Sequence, residues 1–345
     1  MTPSRPSAPT LATRLPGLAL LGVLAGGAAL LAPVVPGVGP LVLAILFGAL
    51  LANTVGVPSW AGPGVVTHSR LLELGIVLLG ASLSVGDALA AGPRLFALVA
   101  ATVVLGLLVV EALSRFAFDL PAKTGSVLAG GASVCGVSAA AAVSGAVGAD
   151  EDQLAYVAAA ILLFDAGTIL LFPALGHLLD LPARTFGVWA GLAMFSTGPV
   201  AAAGFAYGPV AGQWATVTKL VRNAAIGVVA AGYSLYYARR ESAADEAGER
   251  SAERVGLRGV LTSFPTFLLG FVAVAAVVNA GALPPSAVAG LQRGGDWLFA
   301  LAFAGLGLDV RLAAMRAAGL KPLAVLGLSL LVVGTTTLAA TALLF

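Results

Sequence analysis

Apolar runs of roughly 20 residues recur along almost the whole chain, and that spacing leaves few architectures open. A hydrocarbon core about 30 Å thick needs about 20 apolar residues per helical crossing. Within it, only helices and closed barrels satisfy their own backbone. The runs fall at 15–33, 38–54, 70–87, 95–113, 124–147, 154–175, 186–207, 213–238, 259–280, 295–310 and 322–344. Charged residues are 10% of the 345 and hydrophobic ones 59%, whereas a soluble domain carries about 25% charge. The expected fold is an all-α polytopic membrane protein with about 11 transmembrane helices. It divides into an N-terminal tail (1–14), spans 1–8 (15–238), a Glu/Arg/Ala/Ser-rich linker (239–258) and spans 9–11 (259–345).

Basic residues orient that count. With the N-terminus inside, 14 Lys and Arg residues fall in cytoplasmic loops, Arg115, Lys123, Arg184 and Lys321 among them. Only Arg94 and Arg293 fall outside. This positive-inside bias places the protein in a plasma membrane, N-terminus cytoplasmic and C-terminus outside. The acidic turn 150–152 is expected outside. The net charge of +2 gives no reason to expect a nucleic-acid partner, and a single cysteine, Cys135, excludes an internal disulfide.

The chain also resembles itself. Residues 40–58 align with 265–284, and 80–94 with 305–321, so spans 2–4 resemble spans 9–11. The copies lie seven crossings apart, an odd number, which makes them inverted repeats. A weaker echo links 135–148 with 197–210. Chance alignment of Ala/Gly/Leu-rich helices is the competing reading for both.

Two spans carry poor helix material. In span 5, residues 130–142 read GGASVCGVSAAAA, and each glycine costs about 1 kcal/mol relative to alanine. In span 7, residues 195–199 read FSTGP, and proline removes a donor and breaks the helix. Broken backbone at membrane depth lines a cavity or lies within protein, and transporters bind solutes at discontinuous helices. Candidate binding residues are therefore Gly131, Ser133, Cys135, Gly136 and Ser138 in span 5, with Ser196, Thr197 and Gly198 in span 7. Close helix packing through small residues is the alternative, and it is preferred for the alanines at 139–142.

Lys219 and Arg222, three apart in span 8, share a helical face, with Asn223 adjacent. Charges at this depth normally face a cavity or a partner. They read as an anion-coordinating pair or as part of a structural ion pair. Asp165, mid-span in span 6, is their natural partner and a coupling or gating candidate, as is Glu73 near the start of span 3. Glu111 reads as interfacial, and His68 and His177 fall in predicted loops. No metal-ligand cluster, Walker loop, HExxH or GxSxG occurs, so no cofactor and no enzymatic activity are expected.

Span 5, the Trp-Ala-Gly at 189–191 and VTKLVRN at 217–223 together resemble the YeiH-type membrane-protein family, named for a proposed export of sulfate. The family signature is close to GxSICGxSAIAA. Gly131, Ser133, Cys135, Gly136, Ser138, Ala139, Ala141 and Ala142 match it, while Lys219 and Arg222 match a later KxxR. The resemblance runs from about residue 38 to the end. Relatives carry a histidine and an acid where this chain has Phe195 and Ser196. A looser likeness of 75–89 to the bile-acid/sodium symporter superfamily implies crossed broken helices moving against a scaffold.

Together these readings predict a secondary transporter with discontinuous helices in spans 5 and 7. Its partners would be the lipid bilayer, a small anion and a coupling proton or sodium. Sulfate or a sulfonate is the solute that the resemblance implies. Another ion-coupled solute, or a channel-like structural protein, is the alternative, and oligomer formation stays open.

Overall fold

A computed structural model describes residues 11–35, 39–82, 85–244, 267–311 and 319–345, with the backbone alone for 11, 85–91 and 241–244. Among these the chain is helical and has no strand. Residues 1–10, 245–266 and 312–318 lie outside the described residues, and with them most of the expected tail, the greater part of the linker and part of the second repeat copy. Five helices are long and apolar enough to cross a membrane: Ala12–Leu31, Gly62–Ser82, Gly92–Ala117, Glu151–Leu178 and Leu320–Leu344. Other apolar helices are shorter, Pro40–Thr54 and Phe267–Asn279 among them.

The chain forms two compact units. The first, 1–82 with 271–312, contains α1 (Leu11–Leu31), α2 (Pro40–Thr54), a single turn α3 (Gly62–Val65), α4 (His68–Leu79) and most of α13 (Phe267–Asn279), together with α14 (Pro285–Asp309). Pro40 and Pro285 each occupy a first turn, where the missing N–H costs nothing. Helix α14 packs on α2 and α4. A Cβ at Gly48 would lie 2.2 Å from the Ala304 carbonyl oxygen, and one at Gly307 2.1 Å from that of Ile45. Only glycine permits that backbone approach, the usual device of helix packing in lipid. His68 opens α4 rather than a loop, and its Nε2 pairs with Asp309 at 3.1 Å.

The second unit, 83–270 with 313–345, carries the broken segments. Its helices are α5 (Val85–Ala112), α6 (Ala122–Ser133), α7 (Val137–Val147), α8 (Glu151–Leu178), α9 (Ala183–Ala193), α10 (Thr197–Tyr207), α11 (Pro209–Asn223), α12 (Ile226–Ala244) and α15 (Leu320–Leu344). A capping box starts α8: Asp150 accepts from the Gln153 N–H, and Gln153 accepts from that of Asp150. Glu151 and Asp152 in the first turn complement the helix dipole.

Spans 5 and 7 do not run on as crossings. Each is a helical hairpin. Lys123, at the start of α6, donates to the carbonyl of Gly148 just past α7, at 2.8 Å. A Cβ on Gly130 would meet Val143 and one on Gly131 would meet Ala140, so the two arms run antiparallel. In the second hairpin Phe186, early in α9, stacks on Tyr207, the last residue of α10, with ring centroids 3.9 Å apart. This corrects the expected course of 124–147 and 186–207, and the crossed-helix arrangement implied by the looser likeness. The long helix α8 leads from the base of the first hairpin to the base of the second; 28 residues extend about 42 Å. The hairpins therefore enter from opposite ends of α8, and their tips meet between.

Two expectations about loops change as a result. Lys123 and Arg184, expected on one side, lie at opposite ends of α8. The acids Asp150 and Asp152 line a surface pocket with Asp119, Tyr156 and Lys321 instead of facing away from the Lys321 loop.

Candidate functional site

Each hairpin turns through three residues, Val134-Cys135-Gly136 in the first and Met194-Phe195-Ser196 in the second. A helix end leaves carbonyls and N–H groups without intrahelical partners, so four half-helix termini with orphan groups meet here. Gly136 has φ +72°, and a Cβ on it would lie 1.9 Å from Ser196 Oγ. Glycine is required both for the turn and for the meeting of the tips.

The two C-terminal ends, of α6 and α9, are capped by the basic pair. Lys219 Nζ donates to the carbonyls of Val134 (2.8 Å), Met194 (3.1 Å) and Phe195. Arg222 Nε donates to Ser133 O (2.7 Å), Nη1 to Leu192 O (2.6 Å) and Met194 O (2.8 Å), and Nη2 to Ala132 O (2.5 Å). Both side chains are buried, 0% and 1% exposed. All three ammonium donors and four of the five guanidinium donors are thus engaged by backbone. A cation at a helix C-terminus also complements the partial negative charge there. The spacing of three does bring both residues to the breaks, as tip-builders.

The N-terminal ends differ. Neither α7 nor α10 has a side-chain cap on its first turn. At α10, the Ser196 N–H donates to Asp165 Oδ1 at 3.2 Å, placing a carboxylate at the positive end of the dipole. Asp165 was expected to pair with Lys219 or Arg222, but it forms no ion pair with either. The ion pairs among the described residues are His68–Asp309 and Arg115–Glu111. Among the described residues no acid pairs with the first turn of α7, on which Ser138 is exposed.

Several expected residues gather at this point. Gly131 and Ser133 lie in the last turn of α6, Cys135 and Gly136 in the turn, and Ser196, Thr197 and Gly198 at the start of α10. Asn223 ends α11 and donates to Thr197 Oγ1 at 3.0 Å. Buried oxygens without a hydrogen-bond partner cluster here: Ser133 Oγ, Asp165 Oδ2, Ser196 Oγ, Thr218 Oγ1 and Asn223 Oδ1. Such groups normally find a partner. Behind the tips, Thr102, Ser133, Arg222 and Ser329 line a cavity with room for about one water molecule. Glu73 is not part of the cluster; it is exposed on α4 in the first unit.

Sequence reading missed one polar network. Glu111, expected at an interface, accepts from Ser126 Oγ (2.7 Å), Tyr233 Oη (2.8 Å) and Arg115 Nε (2.6 Å). It ties α6 to α5 and α12. His177, expected in a loop, lies in the last turn of α8 and stacks on Tyr207 with centroids 4.4 Å apart.

Known proteins agree with the membrane assignment. Residues 16–326 match the family model described as "Conserved hypothetical protein 698". The chain is 33% identical to a UPF0324 membrane protein of Nitratidesulfovibrio vulgaris over 81% of its length and 77% of the relative's. It is 34% identical to one of Agrobacterium fabrum (86% and 82%) and 35% identical to one of Streptococcus pyogenes (75% of each). No solved structure matches. The chain belongs to this family of membrane proteins, the YeiH-type family that the span 5 motif resembles.

Proposed function

We propose that this family member is a secondary transporter that moves a small anion across the plasma membrane by alternating access. One observation carries the reading. The positive ends of two half-helices, α7 and α10, meet at the hairpin tips, α7 without a side-chain cap and α10 with only the Asp165 carboxylate on its N-cap N–H, while Lys219 and Arg222 neutralise the negative ends of α6 and α9. Uncapped helix N-termini offer N–H groups and a favourable dipole to an anion, and opposed half-helices at mid-depth are where transporters hold solutes.

The first turns of α7 and α10 hold the solute through backbone N–H groups, with Ser138, Ser196, Thr197 and Asn223 at hand. Lys219 and Arg222 set the local charge without touching it. Asp165 occupies the α10 end when the solute is absent and is displaced as it binds, which makes it the coupling residue for a proton or sodium. An inverted repeat of spans 2–4 in spans 9–11 belongs to the proposal; the two compact units change over near the aligned segments, after residue 82 and after residue 312. Sulfate and small sulfonates are the solutes suggested by the family resemblance.

The test is counterflow. Proteoliposomes preloaded with an unlabelled anion should accumulate the same labelled anion transiently, and liposomes lacking the protein should not. Absence of counterflow for every small oxyanion tried, with sodium or a pH gradient present, overturns the reading.

A further inference from the structure

The charge at the hairpin tips narrows the solute class, an inference that rests on the anion-transport reading above. Among the described residues, the buried charged side chains are Asp165, Lys219 and Arg222, all on helices that meet the tips. With each of the three ionised and no coupling cation bound, two cations and one carboxylate leave one positive charge in excess. The four half-helix ends change nothing in this sum. Two N-termini and two C-termini, each about half a charge and of opposite sign, cancel.

Buried charge without compensation is costly, so the solute that brings the site to neutrality is held best. A monoanion does so. A dianion leaves the site with an excess of one negative charge, as large as the imbalance it found. The donors point the same way. Lys219 has no ammonium hydrogen left for a solute, and Arg222 retains one guanidinium hydrogen, on Nη2. Recognition falls to neutral donors, the N–H groups of α7 and α10 and the hydroxyls of Ser138, Ser196 and Thr197.

We infer that the hairpin tips select a monovalent oxyanion of the sulfonate type over a divalent one such as sulfate, and that Asp165 sets this preference by its charge. The same geometry makes the selectivity reversible. Removing the carboxylate charge raises the excess to two, which a dianion neutralises and a monoanion does not.

The test uses ions matched in shape and different in charge. Binding of methanesulfonate, perchlorate and sulfate to the purified full-length protein is measured at constant ionic strength, for wild type, Asp165→Asn and Asp165→Glu. In wild type both monoanions should bind about 10-fold or more tighter than sulfate, a factor that corresponds to a single modest interaction. Asp165→Glu should keep that order, and Asp165→Asn should narrow or reverse it. Tighter binding of sulfate than of either monoanion to wild type overturns the inference but leaves anion transport standing. An unchanged ratio in Asp165→Asn overturns it as well. If none of the three anions binds wild type, the anion reading itself fails. Should Asp165→Asn not fold, the wild-type ratio alone decides.

Discussion

The two hairpins share a format and differ in what holds them. The first has arms of 12 and 11 residues, the second arms of 11 and 11, and each turns through three. The first is anchored by polar contacts: Lys123 to Gly148, and Ser126 to Glu111 and Tyr237. The second is anchored by rings. Phe186 stacks on Tyr207, Trp189 stacks on Phe172 at 4.4 Å, and Trp189 Nε1 donates to Gly334 O at 2.8 Å. At the tips the asymmetry is electrostatic, since only the second hairpin has a carboxylate at the N-terminus of its outgoing arm. Two half-sites of the same shape thus offer unequal electrostatics. The first is an open positive end; the second is already occupied by a side chain that the solute must displace.

The widest blow to that comparison strikes both hairpins at once. Lys219→Ala leaves the buried carbonyls of Val134 and Phe195 without a donor and that of Met194 with Arg222 alone, and unsatisfied buried groups cost about 1–3 kcal/mol each. Loss of most folded protein in size-exclusion profiles is the expected result, for Arg222→Ala as well. A well-folded Lys219→Ala protein that merely binds anion more weakly would instead make the lysine a direct ligand. Next comes the first hairpin alone. Gly136→Ala places a Cβ into Ser196 Oγ at a positive φ, a strain of about 1–3 kcal/mol for the backbone before the clash is counted. Its thermal midpoint should fall, and Ser196→Gly in the same chain should restore part of the loss. Full stability in Gly136→Ala would mean that the tips do not touch.

Smaller effects separate the anchors. Trp189→Phe keeps most of the ring packing and removes the bond to Gly334, at a cost of about 1 kcal/mol, because the Gly334 carbonyl keeps Thr337 Oγ1 as a donor. Ser126→Ala should cost about 1 kcal/mol, because Glu111 keeps Tyr233 and Arg115 as donors. Limited proteolysis can read the pair: cleavage near 179–182 should rise in the first variant and not in the second. Equal exposure of both hairpins in both variants would erase the distinction drawn between polar and aromatic anchoring.

The positions of the breaks were legible, because glycine and proline in apolar runs have a direct backbone cost. The doubling back was not. Twenty-four residues of an apolar run satisfy one crossing as well as two short arms, and what distinguishes them is contacts across the turn such as Lys123–Gly148, 25 residues apart, and Gly130–Val143. Lys219 and Arg222 were legible as a buried pair turned toward the breaks. Their partners were hidden, since carbonyls belong to every residue and leave no mark in a sequence. Asp165 was misjudged for the same reason: its nearest donor is a backbone N–H, and the sequence displayed only the cations. The Glu111 network left a faint signal, a carboxylate in an apolar run followed by three tyrosines at 233, 236 and 237.

Returning hairpins have a consequence for any map of this protein in a membrane. Each one removes a crossing from the eleven expected from the sequence, and two removals leave an odd number odd. Reporters fused to the two ends therefore give the same answer whether or not the chain doubles back. The informative position is interior. A cysteine introduced at Asp150, in a Cys135→Ser background, meets reagent from the side of Lys123 and Lys321 if the first hairpin returns, and from the opposite side if the chain passes through.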